Sequence, residues 1–310
     1  MSATGDAAEA RTTLELKGLE ADNLLAFLAL LGLLRALDVA RPEWQARVAW
    51  RGVPPVAVLE LAEPTTREEV TAAADEGIRK VGIAYRFDKP DLKYAVAEFR
   101  DLFRSWGKDR VGLRLLAALA SDGVTKRDGD EVEATPLCAM FGQGHQHFLS
   151  RLTAMAQRDH PANLQDLERA LFEPWRYDDE TESFRWDPIE DRRYALQFGD
   201  PSEGRNKIGT VTGANRLAAI GFAAFVTAPR ADGLATVGTA GRRGRIDICW
   251  PVVAVPTTLA GHAALLAHPS LGDAERAPEL APYGVRAVAR ARRFQSGKYF
   301  NFERARLQPL

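Results

Sequence analysis

Residues 21–38, ADNLLAFLALLGLLRALD, form an almost uninterrupted apolar run. Only about 14 positions separate Asn23 from Asp38, whereas a membrane-spanning helix needs about 20 residues, so a membrane span is not predicted. Asp22 or Asn23 can cap the start of a helix. A helix that is apolar on almost every face must be covered on more than one side. We therefore predict that this run is the central core helix of an N-terminal domain.

Three small residues lie along one face of this helix. Ala29, Gly32 and Ala36 are spaced three and four positions apart, a spacing that brings side chains together on a helix surface. The pattern predicts a narrow stripe where another backbone approaches closely.

The residues before the apolar run are acidic rather than basic, and no cleavage site of small residues follows it, so a secretory signal is not predicted. Cys138 and Cys249 lie far apart in sequence, without CxxC or Cys/His ligand spacing. This spacing indicates neither a disulfide framework nor a zinc site, and both thiols suit a reducing compartment. We expect a cytoplasmic protein without a cofactor.

The charge is distributed unevenly along the 310 residues. Residues 201–310 hold 15 Lys and Arg against 7 Asp and Glu, while residues 1–200 hold 26 against 35, and the net charge is only −1. A basic module joined to an acidic one favours a polyanion as one partner and a protein as another. Solvated charges without any partner are the alternative, above all for the acidic part.

The element pattern predicts an α+β protein in three parts. Residues 1–62 form a β-α-β-β part, with strands at 12–17, 47–50 and 56–61 around the apolar helix. Residues 63–172 are mostly helical, and TTREE at 65–69 supplies a helix cap. Residues 173–310 begin with a long segment of aromatic and charged residues and continue as a basic α+β part, with a final strand at 285–294.

The final strand carries the strongest binding signal. If it is extended, Arg286, Arg290 and Arg292 point to one face, and Val285 and the alanines between the arginines point to the other. Further cations and aromatic residues follow, an arrangement that suits contact with single-stranded nucleic acid. A charged edge strand that resists aggregation is the alternative. The additional residues are Arg293, Lys298, Arg304, Arg306, Tyr299, Phe300 and Phe302.

Two further stretches could contact phosphates. TAGRRGR at 239–245 predicts a hairpin with Arg242, Arg243 and Arg245 at its exposed tip, or an ordinary turn. GRNKIGTVTGANRL at 204–217 contains Lys207 and places Asn215 near a helix start, where backbone N–H groups bind anions. Its glycines match neither a Walker A loop nor the GxGxxG fingerprint, so nucleotide hydrolysis is not predicted.

Six of the eight carboxylates in the aromatic and charged segment at 175–202 could suggest a metal or acid-base site, but no HExxH or DxDxDG motif accompanies them. These six are Asp178, Asp179, Glu180, Asp187, Glu190 and Asp191. We predict that aromatic side chains anchor this segment to the body while its arginines pair with neighbouring carboxylates. The predicted anchors are Trp175, Phe184, Trp186 and Tyr194, and the arginines are Arg185, Arg192 and Arg193.

His145 and His147 lie two positions apart at a helix start, where they point to different faces. An extended HxH could instead ligate a metal ion together with carboxylates from 178–191. The second motif that such a site needs, HxT or a carboxylate motif, does not accompany the pair.

Four stretches together resemble one family: LKGLEADNLLAFLALLGLLRALD (16–38), FRWDPIEDRRYALQFGDPS (184–202), GANRLAAIGFAAF (213–225) and GVRAVARARRFQSGKYFNF (284–302). They look like subunits of CRISPR type I surveillance complexes of the I-G group, formerly called I-U. The resemblance implies a Cascade-like, non-catalytic subunit, either similar to the large subunit or accessory. The implied partners are other Cascade-like subunits, crRNA and target DNA, and also the helicase-nuclease.

In such a complex, guide pairing carries sequence specificity and the protein reads shape and phosphates. The expected function is therefore contact with guide RNA, target DNA or both, through the C-terminal arginines. Two alternatives remain from other classes. One is a metal-dependent nuclease or phosphodiesterase that uses His145, His147 and nearby carboxylates, and the other is a structural adaptor without nucleic-acid contact.

Overall fold

The apolar run folds into helix α1 (Leu24–Ala40), whose side chains are almost all buried. The structure is a computed structural model that describes residues 11–127, 129–140, 147–179, 183–190, 209–242, 245–296 and 299–310. Asn23 caps the helix, since its Oδ1 accepts hydrogen bonds from the backbone N–H groups of Leu25 at 2.9 Å and Ala26 at 3.3 Å. The predicted core helix and its cap are confirmed.

A three-stranded antiparallel sheet accompanies α1. Its strands are β1 (Thr12–Glu20), β2 (Arg47–Arg51) and β3 (Val56–Leu61), in the order β1-β3-β2. The predicted β-α-β-β opening is therefore confirmed. Helix α2 (Arg67–Gly82) begins at a capping box in which Thr66 accepts from the N–H of Glu69 and the Glu69 carboxylate accepts from the N–H of Thr66.

The middle of the chain contributes four more helices: α3 (Val96–Trp106), α4 (Arg110–Leu119), α5 (Phe148–Ala156) and α6 (Asn163–Phe172). Between α4 and α5 the chain forms a two-stranded hairpin, β4 (Ala120–Thr125) and β5 (Val132–Ala134). The sequence predicts a mostly helical middle part, and it does not indicate this hairpin because the two strands are short and lack a clear alternation.

The C-terminal part begins with helix α7 (Thr212–Gly221) and a hairpin of β6 (Thr227–Arg230) and β7 (Gly233–Thr236). A second sheet follows, with strands β8 (Thr239–Arg242), β9 (Arg245–Val253), β10 (Val285–Ser296), β11 (Tyr299–Phe302) and β12 (Arg306–Pro309). The strand order is β11-β10-β9-β8. Strands β11 and β12 both pair with the edge of β10 that faces away from β9, β12 with its first half and β11 with its second half. Helix α8 (Leu259–Leu266) follows β9.

Helices α1 and α7 touch at the level of their backbones. A Cβ atom added at Gly32 would collide with the carbonyl oxygen of Leu217, and one added at Gly221 would collide with the carbonyl oxygen of Leu28. A Cβ added at Gly77 of α2 would likewise collide with the carbonyl oxygen of Ala36. The predicted close approach of another backbone is therefore confirmed at Gly32, which α7 meets, and at Ala36, which α2 meets.

One buried apolar cluster contains residues from each of the three predicted parts of the chain. Phe27 of α1 stacks on Trp250 of β9 with ring centroids 5.6 Å apart. The indole Nε1 of Trp250 donates a hydrogen bond to the carbonyl oxygen of Ala21 at 2.9 Å. The N-terminal helix and the C-terminal sheet are therefore packed against each other. Among the described helices, none has the length and apolarity that crossing a membrane requires.

The glycine contact gives a first test. In Gly32→Ala, the added methyl group meets backbone atoms that have no side-chain freedom to move away, so the free energy of unfolding should fall by roughly 3 kcal/mol, the upper range for overpacking. Chemical denaturation measures this change. Gly129→Ala is the control because its Cβ would meet nothing closer than 3.9 Å. Equal stability of the two variants would contradict the close contact.

Buried His262 of α8 gives a second test. Its ring lies edge-on to Phe27, and burial lowers the pKa of His262 to about 4. An unfolded histidine has a pKa of about 6.5, so between these values the unfolded chain binds more protons and stability must fall as the pH is lowered. This group should cost on the order of 3 kcal/mol between pH 7 and pH 4.

His262→Leu should remove that part of the pH dependence, measured by denaturation at several pH values. Phe225→Leu also changes a ring next to Phe27 but removes no titratable group, and it should keep the pH dependence of the unmodified protein. A His262→Leu profile parallel to that of the unmodified protein would show that the imidazole is not desolvated.

Candidate nucleic-acid interface

Strand β10 alternates as its sequence predicts. Val285, Ala287, Ala289 and Ala291 are buried, and Arg286 and Arg292 are exposed. The outer face is not open along its whole length, however, because 3₁₀ segments at Pro269–Gly272 and Ala277–Tyr283 pack beside the sheet and Val288 is fully buried.

Arg290 is held by the fold, which corrects its predicted place in an exposed row. Its Nη2 donates to the carbonyl oxygen of Gly272 at 3.1 Å, and its Nη1 lies 3.5 Å from Oδ2 of Asp247. The Nε of Arg292 lies 3.9 Å from Oδ1 of the same carboxylate, which stands opposite it in β9. Asp247 therefore neutralises part of the arginine face, and the Arg290 side chain is only 20% exposed.

The predicted arginine hairpin is present as the pair β8 and β9. Arg242 stands opposite Arg245 in the antiparallel register, and Arg245 is exposed. Arg243, also predicted at the tip, lies outside the described residues. The predicted phosphate contacts Lys207 and Lys298 lie outside them as well.

Asn215 is corrected from a phosphate contact to an interior residue. It is 1% exposed, and its Nδ2 donates to Thr210 Oγ1 at 2.8 Å and to the Val211 carbonyl oxygen at 3.0 Å. Helix α7 does begin at Thr212, as the sequence predicts, but the N–H of Thr212 donates to Oδ2 of Asp179 at 2.8 Å. An internal carboxylate thus occupies the favourable position at this helix N-terminus.

Arg293 differs from the other arginines of β10. Its guanidinium lies over the ring of Phe300, 3.6 Å from the centroid, because the two residues are diagonal neighbours across the β10–β11 hairpin. Its Nε is shielded from solvent and has no hydrogen-bond partner among the described residues. Burial lowers the pKa of Arg293 to about 10. The side chain is thus a cation that has lost water at Nε and has no carboxylate partner in the described part of the chain.

Arg293 lines a cleft of about 460 Å³. The C-terminal sheet forms one side, and the β4–β5 and β6–β7 hairpins contribute Lys126 and Arg230 to the others. Lys126 Nζ pairs with Glu131 at 2.5 Å, and Arg230 Nε pairs with Asp232 at 2.6 Å. Sequence reasoning missed both cations, because nothing in either hairpin indicates that it folds against β10.

The aromatic and charged segment is anchored as predicted where it is described. Phe184 and Trp186 are fully buried and stacked, with ring centroids 4.4 Å apart, and Trp175 is partly buried against the core. Arg185 Nη1 donates a hydrogen bond to Oδ1 of Asn301 at 3.5 Å. The predicted anchor Tyr194 and the arginines Arg192 and Arg193 lie outside the described residues.

Two described carboxylates of this segment have internal partners. Asp179 Oδ1 lies 3.2 Å from Arg169 Nη2, and Asp187 Oδ2 accepts from Nδ2 of the α1 cap Asn23 at 3.2 Å. Burial raises the pKa of Asp187. The segment thereby closes over the start of the central helix.

The histidine pair is described only at His147, whose Nδ1 lies 2.9 Å from Oδ2 of Asp91. His145 lies outside the described residues. Across the described part of the chain, no three His, Cys, Asp or Glu side chains are grouped so that they could hold a metal ion.

No protein-family model matches the sequence, and comparison with curated proteins and with solved structures yields no match either. Any functional assignment must therefore come from the residues themselves, above all from the chemistry of the cleft.

The contrast between Arg293 and Arg290 gives a third test. Arg293→Met keeps an apolar stem against Phe300 and removes a poorly hydrated charge, so the free energy of unfolding should rise by roughly 1 kcal/mol. Arg290→Met leaves Asp247 and the Gly272 carbonyl without their partner and should lower it by roughly 1 to 3 kcal/mol. Thermal and chemical denaturation of both variants measure the difference. Equal losses in the two would show that Arg293 is also paired within the fold.

Proposed function

We propose that the chain is a non-catalytic subunit of a CRISPR type I effector complex and that it contacts the backbone of guide RNA, target DNA or both. The proposal combines the resemblance of four sequence stretches with one structural observation. That observation is the guanidinium of Arg293, which has no carboxylate partner among the described residues and is stacked on Phe300 beside an open cleft.

The argument from Arg293 is energetic. A cation that has lost hydration without gaining a partner is unfavourable in the isolated protein. A phosphate group supplies the missing negative charge, and arginine binds phosphate through several N–H groups at once. Nucleic acid is the phosphate source that the basic composition of residues 201–310 favours.

Exposed arginines form a second basic surface on the opposite face of the same sheet, because the strand register turns them away from Arg293. They are Arg286 and Arg292 of β10, Arg245 of β9 and Arg306 of β12, and Arg292 is 46% exposed. Such side chains would add backbone contacts that depend on salt and carry no sequence information. Guide pairing would then supply the sequence specificity.

Neighbouring subunits would contact the acidic, apolar N-terminal two-thirds of the chain, and the helicase-nuclease is a further partner. No catalytic residue or cofactor is required in this role, and the complex would act in the cytoplasm in antiviral defence.

Purification from the native operon tests the proposal. The tagged protein should copurify with Cascade-like subunits and with discrete small RNA that has repeat-derived ends, identified by mass spectrometry and sequencing. Arg293→Met should reduce the recovered RNA several-fold because a phosphate contact is lost. Arg104→Met is the matched control, since Arg104 is 76% exposed on α3 and pairs with Asp101.

Three other results would contradict the proposal. Recovery of the protein without nucleic acid would favour a structural adaptor. Recovery of the same amount of RNA with Arg293→Met as with the unmodified protein would show that Arg293 makes no phosphate contact. Stoichiometric metal in elemental analysis, with nucleic-acid cleavage that His147→Ala abolishes, would favour the metal-dependent nuclease.

A further inference from the structure

The Arg293 cleft combines charge with apolar surface. Besides Arg293, its lining includes the aromatic rings of Phe294 and Phe300 and the aliphatic side chains of Leu234 and Ile246. Ligand sites of this kind bury an apolar body and orient it with a few polar groups. A simple inorganic anion would use the cation and leave the apolar lining unused.

The charges of the cleft are unequally matched. Lys126 and Arg230 have carboxylate partners in Glu131 and Asp232, and both pairs lie within their own hairpins. Arg293 has none in the described part of the chain, and its Nε is withdrawn from solvent. Two carboxylates also line the cleft on the side of the hairpins, Asp232 and Glu133. The strongest attraction for an anion is therefore at the β10 side, where the aromatic rings also lie.

We propose that this cleft binds the phosphomonoester of a single nucleotide, with the phosphate on the guanidinium of Arg293 and the sugar and base along the apolar lining. The nucleotide is either the phosphorylated end of a strand or a free nucleoside monophosphate. The strand-end form rests on the proposed function, whereas the free nucleotide does not.

The size and charge of the ligand follow from the site. A volume of about 460 Å³ lies in the lower part of the range of about 300 to 1,000 Å³ for small-molecule sites, which suits one nucleotide and not a duplex. A phosphomonoester carries about −1.5 to −2 charges at pH 7 and offers three acceptor oxygens. It therefore satisfies a partly shielded guanidinium better than the single charge of a phosphodiester inside a strand. Arg230 lines the opposite side of the cleft, and its pair with Asp232 is exposed enough for the guanidinium to contact the same phosphate.

Binding of short single-stranded RNA by the full-length protein tests this site. The same fluorescent RNA is prepared with a 5′-phosphate, with a 3′-phosphate and with hydroxyl groups at both ends, and AMP serves as a competitor. One of the phosphorylated forms should bind about tenfold more tightly than the hydroxyl form, the scale of one charge-assisted contact. Arg293→Met should abolish that preference, and Arg104→Met should keep it.

Arg230→Met provides a second variant on a different strand, and it should reduce the preference several-fold if Arg293→Met does not fold. Competition by AMP as strong as by the phosphorylated RNA would identify a free nucleotide as the ligand and support the site. Equal affinity for phosphorylated and hydroxyl RNA, with no binding of AMP, would overturn the phosphomonoester site alone. Failure of every RNA to bind would overturn the proposed function, and the site would then stand only if AMP binds in an Arg293-dependent manner.

Discussion

The contact between α1 and α7 is the constraint on which the rest of the structure depends. Gly32 and Gly221 bring two backbones so close that neither position has room for a Cβ atom. Once α7 is fixed there, the Tyr85 hydroxyl donates to the Ala219 carbonyl oxygen at 2.6 Å, and fully buried Arg216 reaches Asp75 at 2.8 Å. The middle helices are thus positioned by a chain segment that follows them in sequence.

The structure also shows how the arginines of the basic part are used. Arg216 and Arg290 have carboxylate partners within the fold, and Arg304 Nη1 reaches both Glu20 at 2.9 Å and Asp22 at 2.8 Å. The pairs of Arg216 and Arg304 tie the C-terminal part to the acidic N-terminal two-thirds, whereas Arg290 and Asp247 pair within the C-terminal sheet. The charge asymmetry along the sequence is therefore partly neutralised within the fold. Arg293 differs because its cation is stacked on an aromatic ring and has no carboxylate partner among the described residues.

The candidate site was only partly accessible to sequence reasoning. Cations and aromatic residues are interleaved in residues 285–302, and this pattern predicted a contact site that includes Arg293 and Phe300. The two residues are neighbours because the short β10–β11 hairpin fixes which residues face each other. The same reasoning was wrong for Arg290 and Asn215. Arg290 pairs with Asp247 on β9, and Asn215 donates a hydrogen bond to Thr210 in the segment before α7. Neither strand alternation nor residue spacing shows that these side chains have partners within the fold. Nothing in the sequence indicated that the β4–β5 and β6–β7 hairpins form the other sides of the cleft.

Sequence by itself determined the local elements: the capped apolar helix, the β-α-β-β opening, the helix starting near Thr212 and the alternating β10 strand. These depend on residue periodicity and on side chains that bond to their own backbone within a few positions. Only the tertiary structure decided which of the described β10 arginines have a carboxylate partner and where the cleft forms. That outcome depends on carboxylates and hairpins distant in sequence, because desolvation and ion pairing are properties of the packed chain rather than of any segment.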